Sequence, residues 1–374
     1  PQFVMMHKDF FIRNISQGSL CAAVRLLNNK QKSSEEQTMH MADALLAPGV
    51  AGVMYACSAV AAGRSVRKLN QQPDDKAVPV MGVMGAFVFA AQMINFTIPG
   101  TGSSGHLCGG MLLAAIVGPY AAFLTMIGVL LIQCLLFADG GLMALGANVW
   151  NMAFYGCFVG GLLWKAMMQR GISKRKIVVA SLLGCVLTLQ MGALSVSVET
   201  LASGITELPF TAFLLAMQPI HLAIGLVEGA ITAAVLVFLQ QARPALLWQT
   251  QTIDEAKQPL TLRRTLGIVA VAAAMTAGVL SLFASAFPDG LEWSLQRITG
   301  STELDASGPV QAFFARIQSL TALLPDYNLT GSESAAGASA AGLIGAAVVL
   351  AAVVVLGKIL KKAAQRHGSS ASRD

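Results

Sequence analysis

Charge is scarce in this 374-residue chain: 12% of its residues are Asp, Glu, Lys or Arg, 55% are hydrophobic, and the mean hydropathy is +0.64. A soluble globular domain carries about twice that share of charge. The scarcity excludes a water-soluble domain and marks an integral membrane protein. At about 20 apolar residues per spanning helix, the length leaves room for roughly seven to ten spans and for no separate soluble catalytic domain.

Several motifs are also missing. The six cysteines include no Cys-x-x-Cys pair, which excludes a thiolate zinc site of that kind and gives no sign of a disulfide framework. No Gly-x-x-x-x-Gly-Lys-Ser/Thr phosphate loop occurs, so this chain does not itself hydrolyse ATP by that route. No His-Glu-x-x-His occurs, so an intramembrane metalloprotease lacks its usual ligands and base. The net charge of +6 and pI near 9.1 would suit nucleic acid. In a polytopic chain, however, Lys and Arg decorate cytoplasmic loops, and no nucleic-acid partner is expected.

Residues 1–38 hold Lys8, Arg13, Arg25, Lys30 and Lys32 and no apolar run. They neither span a membrane nor supply the apolar core of a secretory signal, and are expected to be a leader absent from the mature protein. Beyond them, apolar runs fall at about 43–63, 78–98, 111–137, 142–164, 177–198, 208–240, 265–287 and 338–357. Basic clusters follow the first run (Arg64, Arg67, Lys68), the fourth (Lys165 to Lys176) and the sixth (Arg243 to Arg264), and all should be cytoplasmic. One crossing is missing for that to hold. Gly118-Pro119 supplies it, because proline removes a helix hydrogen bond and permits a break. Splitting the stretch into 105–117 and 120–137 predicts an all-α, polytopic transmembrane bundle of about nine segments, with Met39 outside and the C-terminus cytoplasmic. Of the twenty Lys and Arg after the leader, only Arg297 and Arg316 then lie outside. The predicted organisation is a leader (1–38), a seven-segment membrane domain (39–240), a polar cytoplasmic linker (241–263) and a two-helix module around an external loop (264–374).

Three histidines are candidates for chemistry: His40, His106 and His221. If Met39 is the true N-terminus, its amine, the deprotonated amide nitrogen of His40 and the His40 imidazole form fused chelate rings. One imidazole from His106 would complete four nitrogens, a set that favours Ni(II) or Cu(II) and that Co(II) accepts. The bland alternative is a pair of loop histidines facing water. His221 and Glu228 lie seven apart on one helical face, and an ionisable residue at membrane depth is a functional candidate. They leave open an intramembrane metal-dependent hydrolase, or packing with His221 hydrogen-bonded to Asn148, Asn151 or Gln190.

The run Met39-His40-Met41-Ala42-Asp43-Ala44-Leu45-Leu46-Ala47-Pro48, then Gly102-Ser103-Ser104-Gly105-His106-Leu107-Cys108-Gly109-Gly110, resembles the substrate-specific membrane component of energy-coupling-factor cobalt and nickel transporters. The resemblance extends through Gly118-Pro119-Tyr120 and Asp139-Gly140-Gly141-Leu142-Met143-Ala144-Leu145-Gly146-Ala147-Asn148, over about residues 39–240. Phe287-Pro288-Asp289-Gly290-Leu291-Glu292 is similar to the Pro-Asp-Gly-Leu-Glu motif of the small two-helix component of the same transporters, here fused. The resemblance implies metal binding by Met39, His40 and His106, with Co(II) or Ni(II) as cargo and no cofactor. It also implies a transmembrane coupling subunit, two cytoplasmic ATPases and a multi-pass place in a bacterial inner membrane. Asp289 and Glu292 are read first as the cap of a turn leading into a short helix. A stand-alone secondary metal transporter remains the other reading; four nitrogens do not choose cobalt over nickel.

Overall fold

The computed structural model describes residues 40–71, 77–248, 258–305, 308–328 and 335–371. The expected leader and Met39 lie outside the described residues. From Thr38 to Asp374 the chain forms one compact unit. In order, its elements are α1 (Pro48–Gln71), α2 (Ala77–Gln92), a hairpin of β1 (Phe96–Ile98) and β2 (Ser103–Gly105), α3 (Gly110–Val117) and α4 (Pro119–Phe137). Then come α5 (Leu145–Asn148), a π-helix (Val149–Val159), α6 (Gly160–Met168), α7 (Lys174–Ser203), α8 (Phe210–Ala242), α9 (Leu262–Gly278), α10 (Gly290–Thr299), α11 (Pro309–Thr321) and α12 (Ala335–Ala371). Five of these, α1, α4, α7, α8 and α12, are long and apolar enough to cross a bilayer.

The chain breaks between α3 and α4 at Gly118-Pro119, as the proline predicts. Gly118 has φ +76, a conformation L-residues avoid, and a Cβ there would lie 3.0 Å from the Trp248 indole nitrogen. Pro119 opens α4 at the position where a missing N–H costs nothing. The freed carbonyl of Ala115 accepts the Trp248 N–H at 2.8 Å, and the Trp248 carbonyl accepts Trp164 Nε1–H at 3.0 Å. Irregular backbone at membrane depth survives only where protein satisfies it in this way. The segment expected from 105 starts five residues later, because Ser103–Gly105 pair with Phe96–Ile98 instead. Hydroxyls and glycines over 101–105 favour a turn over a helical start.

The fourth apolar run is one continuous helical path through α5, the π-helix and α6, since the junction residues Asn148 (φ −59) and Val159 (φ −69) are helical. The wide turns carry Gly160 N–H back to the Tyr155 carbonyl, five residues away. π geometry gathers at functional sites, and Asn148, Asn151 and Met152 from this stretch line the cavity described below.

Sequence reading treats the last helices as an appended pair. In the structure α9 and α12 pack directly on α2. Helix α2 explains this: Val80, Met81, Met84, Val88 and Phe89 are all buried, and a helix apolar all round must be covered on every side. The external loop expected between the pair contains the short helices α10 and α11.

Candidate metal centre

The chain enters the bundle at His40. His40, Met41, Leu45 and Leu46 are all buried, His40 to 3% exposure. Asn148 grips the backbone of Met41 like a neighbouring strand: Met41 N–H donates to Asn148 Oδ1 (3.0 Å) and Asn148 Nδ2 donates to the Met41 carbonyl (3.1 Å). Asp43 Oδ1 accepts the Ala144 N–H at 2.8 Å, and burial pushes its carboxyl above the ordinary range. The turn after α4 closes over the histidine. Gly140 has φ +77, and a Cβ there would come within 2.6 Å of His40 Cβ, so only glycine fits. His40 Nδ1 lies 2.6 Å from Asp139 Oδ1, and Tyr327 Oη donates to Asp139 Oδ2 at 2.6 Å. Burial alone would raise the Asp139 carboxyl, but the His40 imidazole and the Tyr327 hydroxyl outweigh it and hold it below the usual range. His40 Nε2 is buried with no hydrogen-bond partner. Buried polar atoms are nearly always satisfied, so an orphan of this kind calls for an absent partner.

The loop carrying His106 is held on two sides. Ser104 Oγ donates to the Phe287 carbonyl (2.7 Å), Ser104 N–H to the Pro288 carbonyl (2.8 Å), and Trp293 Nε1–H to the Thr101 carbonyl (3.0 Å). Past the histidine, Cys108 N–H and Gly109 N–H donate to the two oxygens of Glu228 at 3.0 and 2.9 Å. Glu228, in the middle of α8, therefore caps the start of α3 and satisfies donors that a helix N-terminus leaves open. A glutamine carbonyl accepts only one of the two donors while its amide group faces the other. Glu228→Gln is accordingly expected to destabilise the fold by about 1–3 kcal/mol. The fall would appear as a lower unfolding midpoint in detergent; an unchanged midpoint would remove Glu228 from this role.

The His40 and His106 ring centroids are 5.8 Å apart. Two imidazoles sharing one ion, each nitrogen about 2 Å from it, sit between about 4 and 6 Å apart by centroid. They border a cavity of ≈ 90 Å³, with Asn148, Asn151, His221 and Glu228 also on its wall. Among the described residues, no three or more His, Cys, Asp or Glu side chains are grouped to hold an ion. Ligands beyond His40 and His106 would have to come from groups other than these, and Met39 lies outside the described residues.

His221 binds none of the three amides that sequence reading offered it. Its Nδ1–H donates to Met217 O, one turn back on its own helix, at 2.8 Å. Asn148 is on Met41, Asn151 Nδ2 donates to Glu199 Oε2 (2.8 Å), and Gln190 Nε2 donates to the Gln218 carbonyl (2.8 Å). With both oxygens on backbone donors, Glu228 is occupied as a cap and is not poised as the base a hydrolase needs.

Asp289 caps α10 as the sequence suggests: its Oδ1 accepts Leu291 N–H (2.8 Å) and Glu292 N–H (2.9 Å), while Glu292 Oε2 accepts the Asp289 N–H (3.0 Å). Burial raises both carboxyls. The cap is not the whole role, since Asp289 Oδ2 faces His106 Nε2 at 3.8 Å.

Asp139 and Asn148 enter sequence reading only through the resemblance, and Asn148 as a partner offered to His221; their contacts with His40 and Met41 escape it, and Tyr327 escapes it altogether. A signal exists for Asp139, an isolated carboxylate between two apolar runs; none exists for Tyr327.

Residues 40–246 match the family model described as the cobalt uptake substrate-specific transmembrane region, CbiM, and residues 263–362 match the PDGLE domain. A NikMN-type nickel transport protein of Archaeoglobus fulgidus is 36% identical over 80% of this chain and 91% of its own length. The fused nickel transport protein NikMN of Rhodobacter capsulatus is 31% identical over 77% of this chain and 88% of its own. The cobalt transport protein CbiM of Geobacter sulfurreducens is 32% identical over 58% of this chain and 63% of its own. A solved truncated transition metal transporter is 33% identical, with a TM-score of 0.48 over 54% of this chain and 98% of that one. With one model covering more than half of the chain and a second most of the remainder, the chain belongs to the CbiM family of cobalt uptake transmembrane regions, carrying a PDGLE domain fused at its C-terminal side.

Proposed function

We propose that this chain is the substrate-capturing membrane subunit of an energy-coupling-factor importer for Co(II) or Ni(II), taking the ion through the Met39 amine, the His40 amide nitrogen and imidazole, and His106. The observation that carries this reading is a buried, backbone-anchored His40 whose ring lies 5.8 Å from that of His106 on the wall of one cavity. Asparagine and backbone groups position the ligands, and an apolar shell excludes competing water. Relatives named as cobalt and nickel transport proteins support the same cargo. In this reading the nine helical segments, with α5 to α6 counted once and α3 as a partial crossing, place Met39 outside and the end of α12 in the cytoplasm of a bacterial inner membrane.

Movement of the ion inward against a gradient needs an energy source, and no phosphate loop is present in the sequence. The proposal therefore includes a transmembrane coupling subunit and two ATPases. Vesicles holding this chain with those subunits and ATP are expected to take up metal at full rate, and vesicles holding the chain alone to show at most a slow leak. Full-rate uptake by the chain alone, driven by an ion gradient, would replace this reading with a secondary transporter.

A further inference from the structure

Two observations converge on Asp139. The first is the geometry of chelation. A ring closed through the His40 amide nitrogen and the His40 imidazole is six-membered only if the metal sits on Nδ1, because Nε2 lies at the far side of the imidazole. Yet Nδ1 is the atom held 2.6 Å from Asp139 Oδ1, while Nε2 is buried without a partner. Without an ion, the ring is stored the wrong way round for the chelate.

The second observation is what fixes Asp139. Tyr327, in the PDGLE domain, donates its hydroxyl to Asp139 Oδ2 at 2.6 Å, and its ring stacks on Phe137 with centroids 4.5 Å apart and 18° between planes. Gln318 Nε2 donates to the Gly140 carbonyl at 2.6 Å, tying down the same turn. Asp326 and Tyr327 sit at φ +51 and +56, a region that bulky residues avoid, so packing and not local preference sets their position.

We propose that Asp139 orients the His40 imidazole with and without metal, and that Tyr327 is the positioning residue that holds Asp139 for this task. With no ion the ring rests with Nδ1 on Asp139. Capture turns it about the Cβ–Cγ bond, so that Nδ1 faces the ion and the edge bearing Nε2–H faces Asp139. The outcome is the carboxylate–imidazole–metal arrangement in which an outer carboxylate fixes ring orientation and raises ligand basicity. The inference rests on the proposed site of Met39, His40 and His106, and it assigns the PDGLE domain a direct part in shaping that site.

The test uses protein produced with Met39 as its first residue, labelled with ¹⁵N-histidine and titrated with Ni(II) alone. Asp139→Asn and Tyr327→Phe are each expected to bind Ni(II) about 10- to 100-fold more weakly, with the same planar Ni(II) absorption at saturation, since the ligand set is intact. The double variant should be no weaker than Asp139→Asn, because Tyr327 acts through Asp139; a purely structural tyrosine would add its own loss. In the parent, the ¹⁵N spectrum should show metal on His40 Nδ1 and a proton on Nε2. If Asp139→Asn fails to fold, Tyr327→Phe with the parent spectrum decides. Unchanged affinity in both variants, or an additive double variant, would overturn the inference while leaving the site standing. Metal on Nε2, or absence of the planar four-nitrogen absorption in the parent, would overturn the site and the inference together.

Discussion

Replacing His40 or His106 by alanine is expected to reduce retained Co(II) or Ni(II) to background, while the protein remains folded and inserted. Each substitution removes one imidazole from the proposed four-nitrogen set, and His40→Ala also removes the proposed chelate ring. A folded product is expected because His106 leaves Glu228 on the Cys108 and Gly109 amides, and because Met41 remains anchored to Asn148 when the His40 ring is gone. Losing His40 removes one contact from Asp139 Oδ1, but Tyr327 still holds Oδ2. The measurement is metal content by mass spectrometry after size exclusion, with His367→Ala in the basic tail as the matched control that should change nothing. Equal metal in parent and His106→Ala would remove that histidine from the site.

A chain starting at Met39 is expected to bind metal, whereas one carrying residues 1–38, or with a single Ala inserted between Met39 and His40, should bind far more weakly. A Met39 nitrogen acylated by Thr38 is an amide, is not basic, and cannot supply the amine ligand. The inserted residue resizes the fused rings. Residues 1–38 contain a Met6-His7 of their own, so the dipeptide alone does not pick the site. What distinguishes Met39 is that His40, Met41 and Asp43 just after it are buried and tied to Asn148 and Ala144, within reach of His106. Mass spectrometry of the intact protein verifies each N-terminus before titration. Undiminished affinity in the verified full-length chain would show that the amine is not a ligand, and the four-nitrogen model would fall.

Much of the helical architecture is legible in the sequence because its causes are local. Scarce charge and long apolar runs predict membrane helices, and Gly118-Pro119 predicts where α3 and α4 part, since a proline acts on its own backbone. His40 and His106 are legible as candidates because, of five histidines, these two stand in loops beside apolar runs and within the quoted motifs. The start of α3 is misplaced because apolar content does not reveal that Ser103–Gly105 pair with a strand. The π-helix is equally invisible, as its residues read as an ordinary apolar helix.

The sequence by itself determined that this is a helical membrane protein with two fused parts and histidines at two loop positions. Only the tertiary structure decided what surrounds them. Asp139 lies 99 residues from His40, and Tyr327 a further 188 residues along the chain, yet the three are joined by 2.6 Å contacts. Glu228 reaches the His106 loop across 120 residues. Such partners carry no periodicity and no spacing rule. They meet because α2 must be covered on all sides, which draws α9 and α12 into the bundle and brings Tyr327, between them in sequence, onto the turn that follows α4.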